Sequence, residues 1–216
     1  MASRTHDPPF DAFVGDGASH MGDMTLLFEM PIVPGFALVE NAISEAEESA
    51  LIAHIDQVGL APFRFQGWEG KRLTASFGWR YDFDTARFEE TEPIPEWLLP
   101  VRAKAAAFAN LPPADFVHAL LIRYDPGAGI GWHRDRPVFD HVVGISLGNH
   151  ATLRLRRRRG RSFERASAEL PPRSIYQLSG EVRHEWEHSI AAMDVPRWSI
   201  TFRSLADIRK SHRRAK

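Results

Sequence analysis

The stretch from Leu121 to Leu147 constrains the fold of this chain most strongly. It reads as an apolar strand, a loop interrupted by Gly127 and Gly129, the pair His133-x-Asp135, and a second apolar strand. Side chains two positions apart on extended backbone point to the same side. The imidazole and the carboxylate can therefore bind one metal ion together. Such a pair is common by itself, so the argument depends on the downstream sequence.

A second histidine and two arginines extend the pattern. His188 lies further along the chain, and Arg197 and Arg203 are six residues apart on an alternating strand that turns them to the same side as Ser199 and Thr201. Two histidines and one carboxylate form the facial triad that leaves three positions of Fe(II) open. Inward arginines need anionic partners, and guanidinium groups bind carboxylates in a bidentate manner. The pattern predicts a small dianionic acid beside a metal ion.

Together these motifs resemble the AlkB-like branch of the Fe(II)/2-oxoglutarate-dependent dioxygenases. The resemblance covers residues 63–205 and is densest in four motifs: Arg123-Tyr124-Asp125-Pro126-Gly127, His133-Arg134-Asp135, Gly144-Ile145-Ser146-Leu147-Gly148 and residues 197–203. It implies Fe(II) as cofactor, 2-oxoglutarate as cosubstrate and dioxygen as oxidant. It also implies the family's double-stranded β-helix, or jelly roll.

The resemblance assigns roles residue by residue. The expected iron ligands, which also form the catalytic centre, are His133, Asp135 and His188. The expected cosubstrate-binding residues are Arg197, Arg203, Tyr124 and Ser199. The expected substrate contacts, in a lid at about residues 63–83, are Trp68, Arg72, Trp79 and Tyr81. His184 is the competing third ligand, and His188 is preferred because its Trp-x-His-Ser-Ile context fits the family better.

The chemistry that the resemblance implies is oxidative demethylation of N-alkylated bases in nucleic acid, as in alkylation damage repair. 2-Oxoglutarate and dioxygen would be consumed, and the methyl group would leave as formaldehyde. An aromatic and basic lid suits stacking on an extruded base. One alternative is the same oxygenase chemistry on a protein side chain or a small molecule. A remote alternative is a non-catalytic jelly-roll binding protein.

Three departures from the family pattern bear on the substrate. Ile122 stands where the best-known members carry an asparagine, so a hydrogen bond is missing or rebuilt. DNA-repair members place an acidic residue shortly after His-x-Asp, whereas here Arg136 and Pro137 follow and the next carboxylate is Asp140. The lid's stacking tryptophan has no unambiguous match, because Arg72 falls near its place. These departures leave the oxygenase interpretation intact and weaken the methylated-base interpretation.

The rest of the sequence predicts a mainly β fold with flanking helices (α+β) and an N-terminal helical and lid extension. A first edge strand is expected at Phe28–Leu38, a helix from the capping box at Ser44 to Val58, and a second helix over Ile94–Asn110. A strand is also expected from Thr74 to Phe83. Further short strands are expected at residues 117–124, 141–147, 151–157, 174–178, 186–190 and 198–203.

The expected organisation is a flexible leader over residues 1–24, one dioxygenase domain over residues 25–206, and a basic tail over residues 207–216. The chain has no Cys and no apolar run near 18 residues, so we expect a cytoplasmic protein without a membrane span. A monomer is expected.

Charge is unevenly distributed along the 216 residues. Residues 151–216 hold 16 basic and 7 acidic side chains, whereas residues 1–150 hold 11 basic and 21 acidic ones. The densest basic run is Arg154–Arg161. Two interpretations remain open for this run: contact with nucleic-acid phosphates, or a solvated strand edge kept from pairing by its charge.

Overall fold

The computed structural model describes residues 32–65, 68–81 and 88–206. The strands are β1 (Phe36–Val39), β2 (Ala61–Phe65), β3 (Trp68–Tyr81), β4 (Phe88–Glu90), β5 (Phe116–Tyr124), β6 (Ile130–His133), β7 (Phe139–Leu147), β8 (Ala151–Arg159), β9 (Ser162–Leu170), β10 (Ile175–Leu178), β11 (Glu187–Ile190) and β12 (Arg197–Leu205). The helices are α1 (Glu45–Gln57), α2 (Leu99–Ala109) and α3 (Gly180–Glu185), with short 3-10 turns at Glu96–Leu98 and Pro113–Asp115.

Two antiparallel sheets form the frame. The major sheet has the strand order β1-β10-β7-β12-β5-β3-β2, with β4 paired to β3, and the minor sheet has the order β6-β11-β8-β9. One apolar core is shared by side chains of both sheets, including Val142 and Leu178 from the major sheet and Leu153 and Leu155 from the minor sheet. The predicted mainly β, jelly-roll architecture with few helices is confirmed.

The two longer helices pack on the outer face of the major sheet. Helix α1 begins at the predicted capping box, where the Glu47 backbone N–H donates to Ser44 Oγ and the Ser44 N–H donates to the Glu47 carboxylate. Leu51 and Ile55 on α1 share a core with Val101 on α2. Helix α2 begins later than predicted because the backbone at Pro95 is extended and a 3-10 turn precedes the helix.

Strand β12 separates two environments by simple alternation. Ile200 and Phe202 are fully buried against the helices. Arg197, Ser199, Thr201 and Arg203 point to the opposite face, between the two sheets. The alternation predicted from the sequence is therefore present, and it places the two arginines at opposite ends of one buried polar row.

Several elements differ from the prediction. Strand β8, which carries the basic run, is not a solvated edge, because it pairs with β11 on one side and with β9 on the other. Strand β9 and helix α3 were not predicted. The first strand, predicted at Phe28–Leu38, is observed as β1 and begins only at Phe36. Residues 28–31 lie outside the described part of the chain. The predicted leader and basic tail also lie outside it.

Close packing between β7 and β10 depends on Gly144. A Cβ atom built at this position would overlap the ring of Tyr176, which crosses directly over the glycine. The missing side chain therefore lets Tyr176 reach the space between the sheets. Among the described residues, no helix is long and apolar enough to cross a membrane.

Candidate active site

The pairing of β6 with β11 brings two histidines together. Their register places His133 directly opposite His188, and the two ring centroids are 4.2 Å apart. The loop before β6 is fixed to the loop after β11, because the Gly127 N–H donates to the Met193 carbonyl at 2.7 Å. Gly129 then passes so close to the backbone of Ile190–Ala192 that a Cβ atom would not fit. The glycines of this loop thus set the histidine register.

His133 presents one defined nitrogen to the space between the rings. Its Nδ1 lies 2.9 Å from the Gly131 carbonyl oxygen. Because a carbonyl can only accept, Nδ1 carries the proton and Nε2 keeps a free lone pair. This arrangement resembles that of metal-bound histidines, whose other ring nitrogen donates to a backbone carbonyl.

Asp135 lies two residues beyond His133 and uses its two oxygens differently. Arg203 donates to Oδ1 from Nε at 2.8 Å and from Nη2 at 2.7 Å. The other oxygen, Oδ2, is buried, has no hydrogen-bond partner among the described residues, and lies 3.6 Å from His188 Nε2. A buried carboxylate oxygen without a partner is uncommon, and a bound cation would satisfy it.

These groups suit a metal ion in their charge states. Burial and the neighbouring His133 lower the pKa of His188 to about 3, and burial also lowers the pKa of His133. Burial opposes ionisation of Asp135, but Arg203, His188 and His133 outweigh it and hold its pKa well below the usual range. Two neutral imidazoles and one carboxylate are the donor set that Fe(II) takes in facial-triad sites.

No three histidine, aspartate or glutamate side chains of the described residues already stand as a closed ion cage. Arg203 holds only Oδ1 of Asp135, and Oδ2 stays on the side of His188. The residues present fit an Fe(II) ion in chemistry and in proximity.

Arg197 forms the other end of the polar row. It is 0% exposed, and its Nη2 donates to Ser146 Oγ at 3.0 Å. Its guanidinium carbon lies 5.4 Å from the centroid of the Tyr124 ring. Its Nε and Nη1 have no hydrogen-bond partner among the described residues. A fully buried cation with unused donors is costly unless an anion pairs with it. This guanidinium therefore fits the distal carboxylate of a small diacid.

A cavity of about 1470 Å³ is lined by the iron-ligand group and by Arg203, whereas Arg197 is not among its lining residues. Its inner wall includes Tyr124, Ser199, Thr201 and Arg203, and the His133–Asp135–His188 group lies along it. Ligand cavities commonly measure about 300–1000 Å³. The volume leaves room for a cosubstrate of 2-oxoglutarate size together with a larger substrate.

Of the four predicted substrate contacts, one lines the cavity, one does not, and two have side chains outside the described part of the chain. Arg72 lines the cavity, and its guanidinium carbon lies 3.9 Å from the centroid of the Phe63 ring. Burial lowers the pKa of Arg72. Trp79 is not among the residues that line the described cavity. The side chains of Trp68 and Tyr81 lie outside the described part of the chain.

The structure also shows the competing ligand His184 and two positions, Asp140 and Ile122, that depart from the family pattern. His184 is exposed, and its Nε2 lies 3.2 Å from Asp140 Oδ1, so it pairs with Asp140 while His188 lies against Asp135. Asp140 is thereby engaged away from the iron-ligand group. Ile122 is buried in the cavity wall and leaves that part of the wall apolar.

Sequence reasoning missed three buried groups. His118 is buried, and its Nδ1 accepts from Arg203 Nη1, 3.3 Å away. Arg183 donates to the carbonyl oxygens of Arg136 and Phe139 and so fixes the loop after Asp135. Tyr176 lines the cavity. His118 was detectable, since it shares strand parity with Tyr124 on β5, but the other two depend on long-range packing.

Comparison with known proteins identifies the family. The sequence profile of the 2OG-Fe(II) oxygenase superfamily matches residues 35–206. The tRNA (carboxymethyluridine(34)-5-O)-methyltransferase ALKBH8 of Mus musculus is 26% identical over 164 residues, covering 73% of this chain and 24% of that protein. The probable RNA/DNA demethylase ALKBH6 of Danio rerio is 31% identical over 122 residues, covering 56% of this chain and 49% of that protein.

A solved structure agrees in fold. OsALKBH1 superimposes with a TM-score of 0.63 at 18% identity, covering 80% of this chain and 97% of that one. The chain spans between a quarter and a half of the length of the two curated relatives. On the profile match and these similarities, the chain belongs to the AlkB-like branch of the 2OG-Fe(II) oxygenase superfamily, the dioxygenases that depend on Fe(II) and 2-oxoglutarate.

Proposed function

We propose that this protein oxidatively demethylates N-alkylated bases in nucleic acid. His133, Asp135 and His188 hold Fe(II), and Arg197 binds the distal carboxylate of 2-oxoglutarate. The observation that carries the proposal is the unpartnered Asp135 Oδ2, buried beside His188 at 3.6 Å. Bound iron, with 2-oxoglutarate and dioxygen, supplies the oxidation of a substrate C–H bond to C–OH, with release of succinate and carbon dioxide.

The chain's own residues orient and enclose the reaction. Arg203 holds Oδ1 of Asp135 so that Oδ2 stays directed at the histidine pair. Tyr124 and Ser199 offer hydroxyl groups to the cosubstrate from the cavity wall, while Thr201 supports the row between the arginines. Apolar neighbours such as Ile122 keep water from the cosubstrate. A hydroxymethyl group formed on a base nitrogen then loses formaldehyde and restores the base.

Two observations support the substrate class: the names of the relatives and the residues that line the cavity wall. The relatives named above include a tRNA-modifying enzyme and a probable RNA/DNA demethylase, and an Arabidopsis thaliana relative, 24% identical over 185 residues, is named as an alkylated DNA repair protein. The stacked pair Arg72 and Phe63 offers a cationic and aromatic surface in the cavity wall. Such surfaces suit an extruded base and its phosphate.

The test is aerobic turnover with Fe(II) and 2-oxoglutarate, following succinate and formaldehyde together. Single- and double-stranded oligonucleotides with N1-methyladenine or N3-methylcytosine are the substrates, and His133→Ala is the blank. We expect formaldehyde and succinate in equal amounts from the wild type and neither from the variant. Succinate without formaldehyde would favour another substrate, such as a protein side chain or a small molecule. Absence of both from iron-loaded wild type would contradict the proposal.

A further inference from the structure

The outer face of the minor sheet carries a row of interleaved arginine and aromatic side chains. The register of β8 with β9 places Arg156 opposite Arg165 and Arg158 opposite Phe163. Leu153 and Leu155, at the alternate positions of β8, are buried in the core. The arginines at even-numbered positions therefore point away from the core. We call this surface the arginine–aromatic face; it consists of Trp132, Arg154, Arg156, Arg158, Phe163 and Arg165.

Stacking connects the members of this face. The guanidinium carbon of Arg156 lies 4.4 Å from the Trp132 ring centroid and 4.6 Å from that of Phe163, so it bridges the two rings. Arg154 lies 5.2 Å from the Trp132 centroid, and Arg158 lies 5.3 Å from the Phe163 centroid. Guanidinium groups over aromatic rings are attracted by the ring quadrupole. The row is thus ordered by its own contacts.

The face has an excess of positive charge. Of its four arginines, only Arg156 pairs with a carboxylate of the described residues, through its Nε to Glu187 at 2.6 Å. Arg154 donates instead to the hydroxyl of Ser189, and Arg165 donates to a backbone carbonyl. A further carboxylate, that of Glu169, accepts from Thr152 beyond the end of the row.

Neighbouring arginines of the same strand are neutralised. Arg157 pairs with Glu164, Glu181 and Glu185, and Arg159 pairs with Glu164. In the basic run, Arg156, Arg157 and Arg159 are therefore bound to carboxylates, whereas Arg154 and Arg158 have no carboxylate partner among the described residues. Within the described part of the run, Arg154 and Arg158 keep their charge available to an anionic partner.

The arginine–aromatic face begins at the mouth of the active-site cavity. Trp132 and Glu187 line that cavity, and Trp132 directly precedes His133 on β6. Successive residues of a strand point to opposite sides. Because β6 is an edge strand of the minor sheet, a substrate strand on the arginine–aromatic face can pass around β6 to the iron-ligand group on the other side.

We propose that the arginine–aromatic face binds the strand that flanks the nucleotide in the cavity, as single-stranded nucleic acid. This inference rests on the proposed function. Alternating cations and flat rings match alternating phosphates and bases, because bases stack on aromatic rings and guanidinium groups pair with phosphates. An acidic peptide matches the charge but offers no repeated flat groups to the rings.

The test uses fluorescence anisotropy of the full chain, without iron or cosubstrate, with labelled unmodified oligothymidylate and oligouridylate. Arg158→Gln and Arg159→Gln form a matched pair, since these neighbours are both exposed and, within the described part of the chain, Arg159 has a carboxylate partner while Arg158 has none. We expect Arg158→Gln to weaken binding about threefold to tenfold at low salt and to reduce the salt slope by about 0.7. Arg159→Gln should stay within twofold of wild type.

Two further variants separate charge from stacking. Arg154→Gln/Arg158→Gln/Arg165→Gln should reduce the salt slope by about 2, whereas Phe163→Leu should weaken binding at least about fivefold with an unchanged slope. Equal losses in Arg158→Gln and Arg159→Gln would overturn the proposal. So would wild-type binding by the triple variant, or displacement by polyglutamate of equal charge as effective as by oligonucleotide. The last result would favour an acidic protein partner.

This binding assay does not depend on turnover, so the two proposals can fail separately. If the protein demethylates but the triple variant binds oligonucleotide normally, only the assignment of the face is wrong. If oligonucleotide binds through the face but no formaldehyde forms, the proposed reaction is wrong. For an active enzyme, the triple variant should raise KM for a methylated oligonucleotide and leave KM for the methylated mononucleoside unchanged.

Discussion

At the residue scale, Asp135 has one oxygen held and one oxygen free. Arg203 holds Oδ1 and is itself fixed by His118, whose Nδ1 accepts from Arg203 Nη1 at 3.3 Å. An arginine can only donate, so this nitrogen of His118 must be unprotonated. Burial is the larger cause and the charge of Arg203 the smaller one that lower the pKa of His118 to about 3, so the nitrogen stays unprotonated near neutral pH. The contacts orient the carboxylate before any ion binds.

Arg197 provides the first residue-scale prediction. Arg197→Gln removes the buried cation that we assign to the distal carboxylate of 2-oxoglutarate. Losing one partner of a buried charge pair costs about 2–5 kcal/mol, so Kd for 2-oxoglutarate should rise at least about thirtyfold. Arg197→Lys keeps the charge but loses the two-pronged set of donors, so its Kd for 2-oxoglutarate should lie between those of the wild type and Arg197→Gln. Calorimetry with Mn(II) in place of iron measures this; unchanged affinity in a folded variant would remove Arg197 from the cosubstrate site.

His118 provides the second residue-scale prediction, on pH. Its pKa is lower in the folded chain than in the unfolded chain, so the unfolded state binds more protons between about pH 6.5 and 3. The free energy of unfolding should therefore fall as pH decreases from 7 to 5, by about 1.4 kcal/mol per unit below 6.5 for this histidine. In His118→Gln the free energy of unfolding should decline less steeply, by about 1.4 kcal/mol per pH unit below 6.5. Urea unfolding with EDTA present measures both, and parallel pH profiles would contradict the assignment.

Part of the site was predictable from the sequence because it is local or strictly periodic. His133 and Asp135 are two residues apart, and the alternation of β12 orients both arginines. The pairing of Arg203 with Asp135 was not predictable, because 68 residues separate them and the contact depends on strand order. Arg183 was missed for the same reason, since its acceptors lie more than 40 residues away.

At the element scale, glycines determine how the strands approach one another. Gly144 on β7 leaves room for Tyr176 on β10, and Gly129 lets the loop before β6 lie against the loop after β11. The second contact sets the register in which His133 meets His188. The active site is therefore built by strand pairing more than by the flanking helices.

Gly144→Ala tests this close packing. The added methyl group would overlap the buried Tyr176 ring, and overpacking a core costs about 1–3 kcal/mol. Gly59→Ala is the control, since a Cβ at Gly59 meets no atom within 4 Å. Chemical unfolding should show a loss in the first variant and a change within about 0.5 kcal/mol in the second. A neutral Gly144→Ala would show that Tyr176 is free to move.

The strand that carries the arginine run was predicted and is present as β8, but of the two interpretations of its charge the solvated edge is excluded. Its charge suggested an unpaired edge, but the carboxylates that neutralise Arg157 come from β9 and α3. Strand β9, with the sequence SFERASAEL, alternates apolar and polar residues only in its second half, which is too short a signal to predict it. The edge interpretation could not be decided from the sequence, because charge pairing between distant segments leaves no periodic signal.

At the scale of the whole molecule, cofactor binding should stabilise the fold. The buried, unpartnered groups at Asp135 and Arg197 belong to the folded chain alone, so ligands that pair with them favour it over the unfolded chain. At about one hundred times Kd, a ligand adds about 2.7 kcal/mol, which corresponds to several degrees in Tm for a chain of this size.

Differential scanning calorimetry with Mn(II) and 2-oxoglutarate measures this stabilisation. The wild type should gain several degrees with both ligands. His133→Ala should gain little from the metal, and Arg197→Gln should keep the gain from metal while losing the increment from 2-oxoglutarate. A gain of the same size in His133→Ala would place the metal elsewhere.

The most direct test of the central claim is anaerobic addition of 2-oxoglutarate to the Fe(II)-loaded protein, followed by visible absorption. Chelation of iron by the keto acid produces a charge-transfer band. We predict that the wild type develops the band, that Asp135→Ala does not, and that Arg197→Gln requires at least about thirtyfold more 2-oxoglutarate while its iron content stays unchanged. A wild type without the band, or an equal band in Asp135→Ala, would contradict the account.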